Sequence, residues 1–176
     1  MGRVLPKART PGRAEQRPEK NLPAKGRNRY RYGDLRTPPP LLWIVAGFLP
    51  QGFITLLTAD GGVGKSFLAI YLAIMVCLGC PFLGLGTLRG RVLYVDYDLD
   101  EDEQKLRVWR VLAGLNMTPD DPGLVGQFYY YRPRHSLSSE AGHDEVVSII
   151  REHEISLVIL DSLSIGLGRT RRASRT

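Results

Sequence analysis

Eight residues, Ala59-Asp60-Gly61-Gly62-Val63-Gly64-Lys65-Ser66, have the types and spacing of a loop that wraps a phosphate. Glycines permit the backbone angles and close approach needed for main-chain N–H groups to surround an anion. A helix opening directly after the loop adds positive potential. In such a loop the Lys65 ammonium reaches the β- and γ-phosphates of a nucleotide, and the Ser66 hydroxyl binds Mg²⁺. The stretch matches the Walker A pattern except at Ala59, which replaces the first glycine at a position that mainly demands a small residue. A plain glycine-rich turn is the alternative. Gly61-Gly62 and the strand–loop–helix context favour the phosphate loop, with ATP and Mg²⁺ as the expected ligands.

Two acidic strand ends complete the chemistry. Leu157-Val158-Ile159-Leu160 runs into Asp161, the Walker B pattern, and a buried strand would set that carboxylate beside the phosphate loop to hold Mg²⁺ together with Ser66. An Asp that merely caps a strand-to-loop turn is the alternative. The second acidic end is Val95-Asp96-Tyr97-Asp98-Leu99-Asp100-Glu101. Hydrolysis needs a carboxylate to orient and polarise the attacking water. Strand alternation puts Asp96 and Asp98 on one face, and Asp98 lies just past the strand, so Asp98 is the expected catalytic carboxylate, acting with Lys65. A solvated loop aspartate is the alternative. Asp100 and Glu101 suit a helix N-terminus.

The elements that must position these residues alternate in type. Trp43-Ile44-Val45 is a short apolar stretch followed by a Pro50-Gln51-Gly52 turn. Phe53–Thr58 reads as a buried strand leading into the phosphate loop. Ser66–Gly79 is apolar all round, the mark of a helix buried on most faces. Arg91–Asp96 is a second strand. Asp100 with Glu103 forms a capping box for a helix to about Leu115, with Leu106, Trp109 and Ala113 on one face. Gln127–Arg132 is a third strand, and Ser139 caps a helix carrying Val146, Ile149 and Ile150. Ile155–Leu160 is a fourth, wholly apolar strand. Strands apolar on both faces and alternating with helices predict an α/β fold with a mainly parallel sheet covered on both sides. Ligands in such sheets bind at the carboxyl ends of the strands.

The ends differ from the middle. Residues 1–40 carry 11 Lys/Arg against 3 Asp/Glu, residues 41–168 carry 9 against 15, and residues 169–176 carry 4 against none. The formal charge of +6 therefore resides on the ends, around an acidic body. The first segment lacks apolar periodicity and reads as a disordered basic arm; Tyr30 and Tyr32 among arginines could stack on nucleic-acid bases. The last reads as an unstructured basic tail. The uncharged runs Leu41–Ala59 and Phe67–Leu88 are interrupted by Pro50, Gln51 and Gly52 and by Pro81 and several glycines, which argues against a membrane span. Two cysteines and no secretory segment fit a cytoplasmic protein. Cys77 and Cys80 have CxxC spacing, but no second pair or neighbouring histidine completes a metal site. His135, His143 and His153 show no ligand spacing.

In this order, WIVAGFLPQG, FITLLTADGGVGKS, GRVLYVDYDLDEDEQKLRVWRVLAGL and ISLVILDSLS, the chain resembles RecA-like, AAA-type P-loop ATPases related to the plasmid replicative helicase RepA, and more distantly DnaB and RadA-like proteins. The resemblance covers about residues 41–168. It implies nucleotide and Mg²⁺ binding by Lys65 and Ser66, a Walker B role for Asp161, and a catalytic carboxylate at Asp98 where the family usually has Glu. It also implies assembly into a homo-oligomeric ring and coupling of ATP hydrolysis to movement on DNA. Members carry further strands after Walker B, so the chain is expected to be incomplete at its C-terminus. A ParA/MinD-like partition ATPase is a rival, but its signature lysine would fall at Asp60, and Asp161 is followed by Ser162 and Leu163 rather than its usual ending. A small-molecule P-loop kinase and a non-catalytic nucleic-acid-binding fragment are further alternatives.

Overall fold

Three parallel strands, each apolar on both faces, form the centre of the unit Pro40–Thr176. The computed structural model describes residues 40–98 and 100–167, which lie in the unit Pro40–Thr176. The basic segments expected at 1–40 and 169–176 fall outside the described residues, apart from Pro40. In chain order the elements are β1 (Trp43–Val45), β2 (Leu49–Pro50), α1 (Lys65–Leu78), β3 (Val92–Asp96), α2 (Glu101–Gly114), β4 (Phe128–Tyr131), α3 (Glu140–Glu152), β5 (Leu157–Asp161) and the single turn α4 (Leu163–Gly166). The sheet order is β4-β3-β5, and both pairings are parallel.

The side-chain period of two divides the sheet between two cores. Val92, Tyr94, Phe128, Tyr130, Leu157 and Ile159 face one way and pack with α1 and Leu112 of α2. Leu93, Val95, Tyr129, Tyr131, Val158 and Leu160 face the other and pack with Val146, Ile149 and Ile150 of α3. Central β3 is buried along its whole length. Each Val or Leu buried there contributes roughly 1.5–3 kcal/mol, which makes this strand the anchor of the fold. The antiparallel β1–β2 hairpin joins the first core through Ile44, Val45 and Leu49.

The helix starts follow their capping chemistry. The Asp100 side chain accepts from Glu103 N at 2.8 Å to open α2, and Ser139 Oγ accepts from Gly142 N at 3.1 Å to open α3. Helix α1 ends at Gly79, whose φ of 69° returns its N–H to the last turn.

One expectation is corrected. Phe53–Thr58 is not a strand: it lies outside every described ladder and is exposed, Ile54 at 97 %. Its apolar composition specifies a strand that wants burial, but pairing also requires a sheet edge to accept it, and composition carries no information about that edge. The segment instead lines a groove of about 700 Å³ against β5 and α1. Leu106, Trp109 and Ala113 share one face of α2 as expected, and that face is the outward one, with Leu106 and Trp109 about half exposed. The buried face carries Gln104 and Leu112, with Val108 and Val111 packed on the core.

Among the described residues no helix is long and apolar enough to cross a membrane.

Candidate functional site

The phosphate-loop residues lead directly into α1. Gly62 and Gly64 have φ of 77° and 95°, left-handed values that an L side chain adopts only with strain, so glycine is required where the loop turns into the helix. Helix α1 begins at Lys65 with no side-chain cap and no acidic residue in its first turn. Its positive end is therefore uncompensated by its own sequence, which suits an anion. Ala59, Asp60, Gly61, Gly62 and Val63 are exposed, while Gly64, Lys65 and Ser66 are half-buried. The Lys65 ammonium turns back across the loop and donates to the carbonyls of Ala59, at 2.7 Å, and Asp60.

Asp161 ends β5, and its carboxylate faces the α1 side of the sheet in phase with Leu157 and Ile159. Lys65 and Asp161 line one groove, the 700 Å³ space bordered by α1, residues 53–57 and β5. Parallel pairing sets Asp161 opposite Asp96 at the end of β3. One oxygen of Asp161, Oδ2, accepts a 2.6 Å hydrogen bond from the Tyr94 hydroxyl. Burial and the neighbouring Asp161 push the Tyr94 pKa well up, so the phenol stays protonated as the donor. Among the described residues no hydrogen bond reaches the other oxygen, Oδ1. An aspartate oxygen at a strand end and a serine hydroxyl at a helix start are hard oxygen donors, the kind Mg²⁺ takes alongside substrate phosphates and water. By donor type Ser66 and Asp161 suit that ion, with Asp161 lining the groove and Ser66 outside its lining. Among the described residues no cluster of three or more His, Cys, Asp or Glu is placed to hold a metal by protein ligands alone.

Asp98 follows β3 on a turn built by Asp96. The buried Asp96 carboxylate accepts from Asp98 N at 2.8 Å through Oδ1, and Tyr97 N donates to the Asp161 carbonyl at 2.7 Å. The turn bearing Asp98 is thus stitched to the end of β5, beside Asp161. Asp96 thus shapes the turn that carries Asp98. The strand alternation that groups it with Asp98 stops at the strand end, where the turn begins.

The sequence motifs point to Lys65, Ser66, Asp98 and Asp161 and leave out Tyr94, which contacts Asp161. Its signal was a single hydroxyl-bearing residue in an otherwise aliphatic strand, on the same face as Asp96. The remaining cysteines and histidines stand elsewhere. Cys77 is buried in α1 and donates to the Gln127 carbonyl at 3.3 Å, whereas Cys80 is exposed. His135 contacts Glu145, and His153 stacks on Tyr129.

A family model described as an AAA domain matches residues 30–174. No curated protein matches the chain.

Proposed function

Since the chain belongs to the AAA domain family of P-loop ATPases, we propose that it binds Mg-ATP on the Ala59–Ser66 loop and hydrolyses it with Asp98 aligning the attacking water. The observation that carries this reading is the shared groove: the lysine that opens α1 and the aspartate that ends β5 border the same space. On this reading Lys65 exchanges its contacts with Ala59 and Asp60 for phosphate oxygens, and the free N–H groups of α1 hold the phosphate chain. Ser66 and Asp161 hold the metal. Mg²⁺ when bound neutralises charge on the phosphates. Asp98, on the turn fixed by Asp96, accepts a proton from the water or aligns it for in-line attack.

The likeness of the motif order to RepA-related proteins supports a role in DNA replication or mobile-element maintenance in the cytoplasm. In that role subunits assemble into a ring and use hydrolysis to move along DNA. The test is binding of a fluorescent ATP analogue to wild type and to Lys65→Ala. Loss of binding in the variant is expected, and undiminished binding overturns the reading.

A further inference from the structure

We propose that Tyr94 is a positioning residue for metal binding: its hydroxyl hydrogen-bonds one oxygen of Asp161 and turns the other toward the ion, which biases the carboxylate to one-oxygen ligation and favours Mg²⁺ over Ca²⁺. The inference rests on the reading of Asp161 as the metal-holding carboxylate. It adds a residue that the phosphate-loop and Walker B patterns do not contain.

Register explains how the contact arises. Tyr94 pairs with Ile159 across the β3–β5 ladder, and Asp161 lies two residues farther along on the same face. The long phenol spans that diagonal and ends 2.6 Å from Asp161 Oδ2, within the short range of a hydroxyl donating to an ionised carboxylate. Its ring is fixed from behind. Tyr94 is fully buried and meets the Phe128 ring edge-on, with centroids 6.4 Å apart. An aspartate at a strand end would otherwise rotate about its terminal torsion. Held by a buried hydroxyl, the carboxylate is oriented before an ion arrives. The same bond limits the mode of ligation. Ca²⁺ accepts carboxylates through one or two oxygens in large, flexible shells, whereas Mg²⁺ demands a near-ideal octahedron and takes carboxylates sparingly. A carboxylate with one oxygen already hydrogen-bonded favours one-oxygen ligation over the bidentate mode.

The experiment titrates Mg²⁺ and Ca²⁺ into wild type, Tyr94→Phe and Asp161→Asn, each with a fluorescent ATP analogue, and also measures analogue binding in EDTA. Phe keeps the ring and removes only the hydroxyl. In Tyr94→Phe the Mg²⁺ concentration for half-maximal enhancement of binding is expected to rise about tenfold or more. Ca²⁺ should change less, and binding in EDTA should stay at the wild-type level. Equal metal dependence in Tyr94→Phe and wild type, with Asp161→Asn impaired, overturns the role of Tyr94 alone. Asp161→Asn matching wild type overturns the metal reading and the proposal with it. Equal losses with both metals and in EDTA reveal a purely structural tyrosine and also overturn it. A fluorinated tyrosine at position 94 gives a second measurement should the Phe variant not fold. Its ¹⁹F resonance should move when Mg²⁺ joins the bound nucleotide, and an unmoved resonance overturns the proposal.

Discussion

Asp96 and Asp161 are register partners at the carboxyl ends of β3 and β5, so two carboxylates stand side by side where the sheet meets its loops. They are held by different groups. Asp96 accepts from the backbone N–H of Asp98 and shapes the turn. Asp161 accepts from the Tyr94 phenol. Asp96 thus braces the turn that carries Asp98, and Asp161 borders the groove it shares with Lys65.

Asp98 carries the water-aligning role in the proposed reaction, and it is removable without touching the phosphate loop. Asp98→Asn is expected to slow phosphate release by about 10²-fold or more, the usual contribution of a positioned general base. Affinity for the ATP analogue should remain within about twofold, since uniform binding is untouched. Phosphate release at the wild-type rate would remove Asp98 from the mechanism.

One buried thiol and two partly buried phenols must keep their protons in the folded chain, which ties stability to alkaline pH. Burial pushes the Cys77 thiol from 9.0 to about 12, and burial, aided by nearby carboxylates, pushes Tyr130 and Tyr131 from 10.0 to about 12. For groups raised on folding, the unfolded chain loses its protons first. Their stabilising effect is complete below pH 9 and is lost as the pH climbs through about 12. Urea midpoints should therefore fall progressively from pH 9 to pH 12, and Cys77→Ala should flatten the first part of that fall. A midpoint constant from pH 9 to 11 would contradict the assignment.

Asp100 opens α2 through its bond to Glu103 N. Replacing it by Ala leaves that amide without its side-chain acceptor and is expected to lower unfolding stability by about 1 kcal/mol. Chemical denaturation measures it, and an unchanged midpoint would show that water satisfies the helix start as well.

Residues 53–57 present Phe53, Ile54, Leu56 and Leu57 to solvent beside an apolar groove. Contiguous apolar surface of this kind drives association. Ile54→Lys is expected to lower the concentration-dependent sedimentation coefficient, because it puts a charge on the most exposed of these side chains. An identical concentration dependence in the variant would place any self-association on another surface.

Much of this molecule was legible from its residues, for identifiable reasons. The caps at Asp100 and Ser139 are local contacts, so sequence spacing announced both helix starts. The strands Val92–Asp96, Phe128–Tyr131 and Leu157–Asp161 announced themselves by apolar runs bounded by polar residues, and the alternation with helices implied their parallel pairing. Phe53–Thr58 failed because strand pairing is a relationship between two distant segments, and only one was being read. The shared face of Leu106, Trp109 and Ala113 was legible from helical spacing, but not that it turns outward, because the buried set that begins at Gln104 satisfies the same spacing. Tyr94 escaped because its target lies on another strand, and register becomes visible only when the sheet is assembled.

The position of residues 53–58 outside the hydrogen-bonded sheet also bears on exchange and ligand energetics. Every parallel ladder of the described sheet is made by residues 92–161, so the segment leading into the phosphate loop contributes no rung to it. Amides from Phe53 to Gly61 are therefore open to hydrogen–deuterium exchange without unfolding of β3. A nucleotide that immobilises this stretch spends part of its intrinsic affinity on ordering backbone, and the remainder is what a binding isotherm measures.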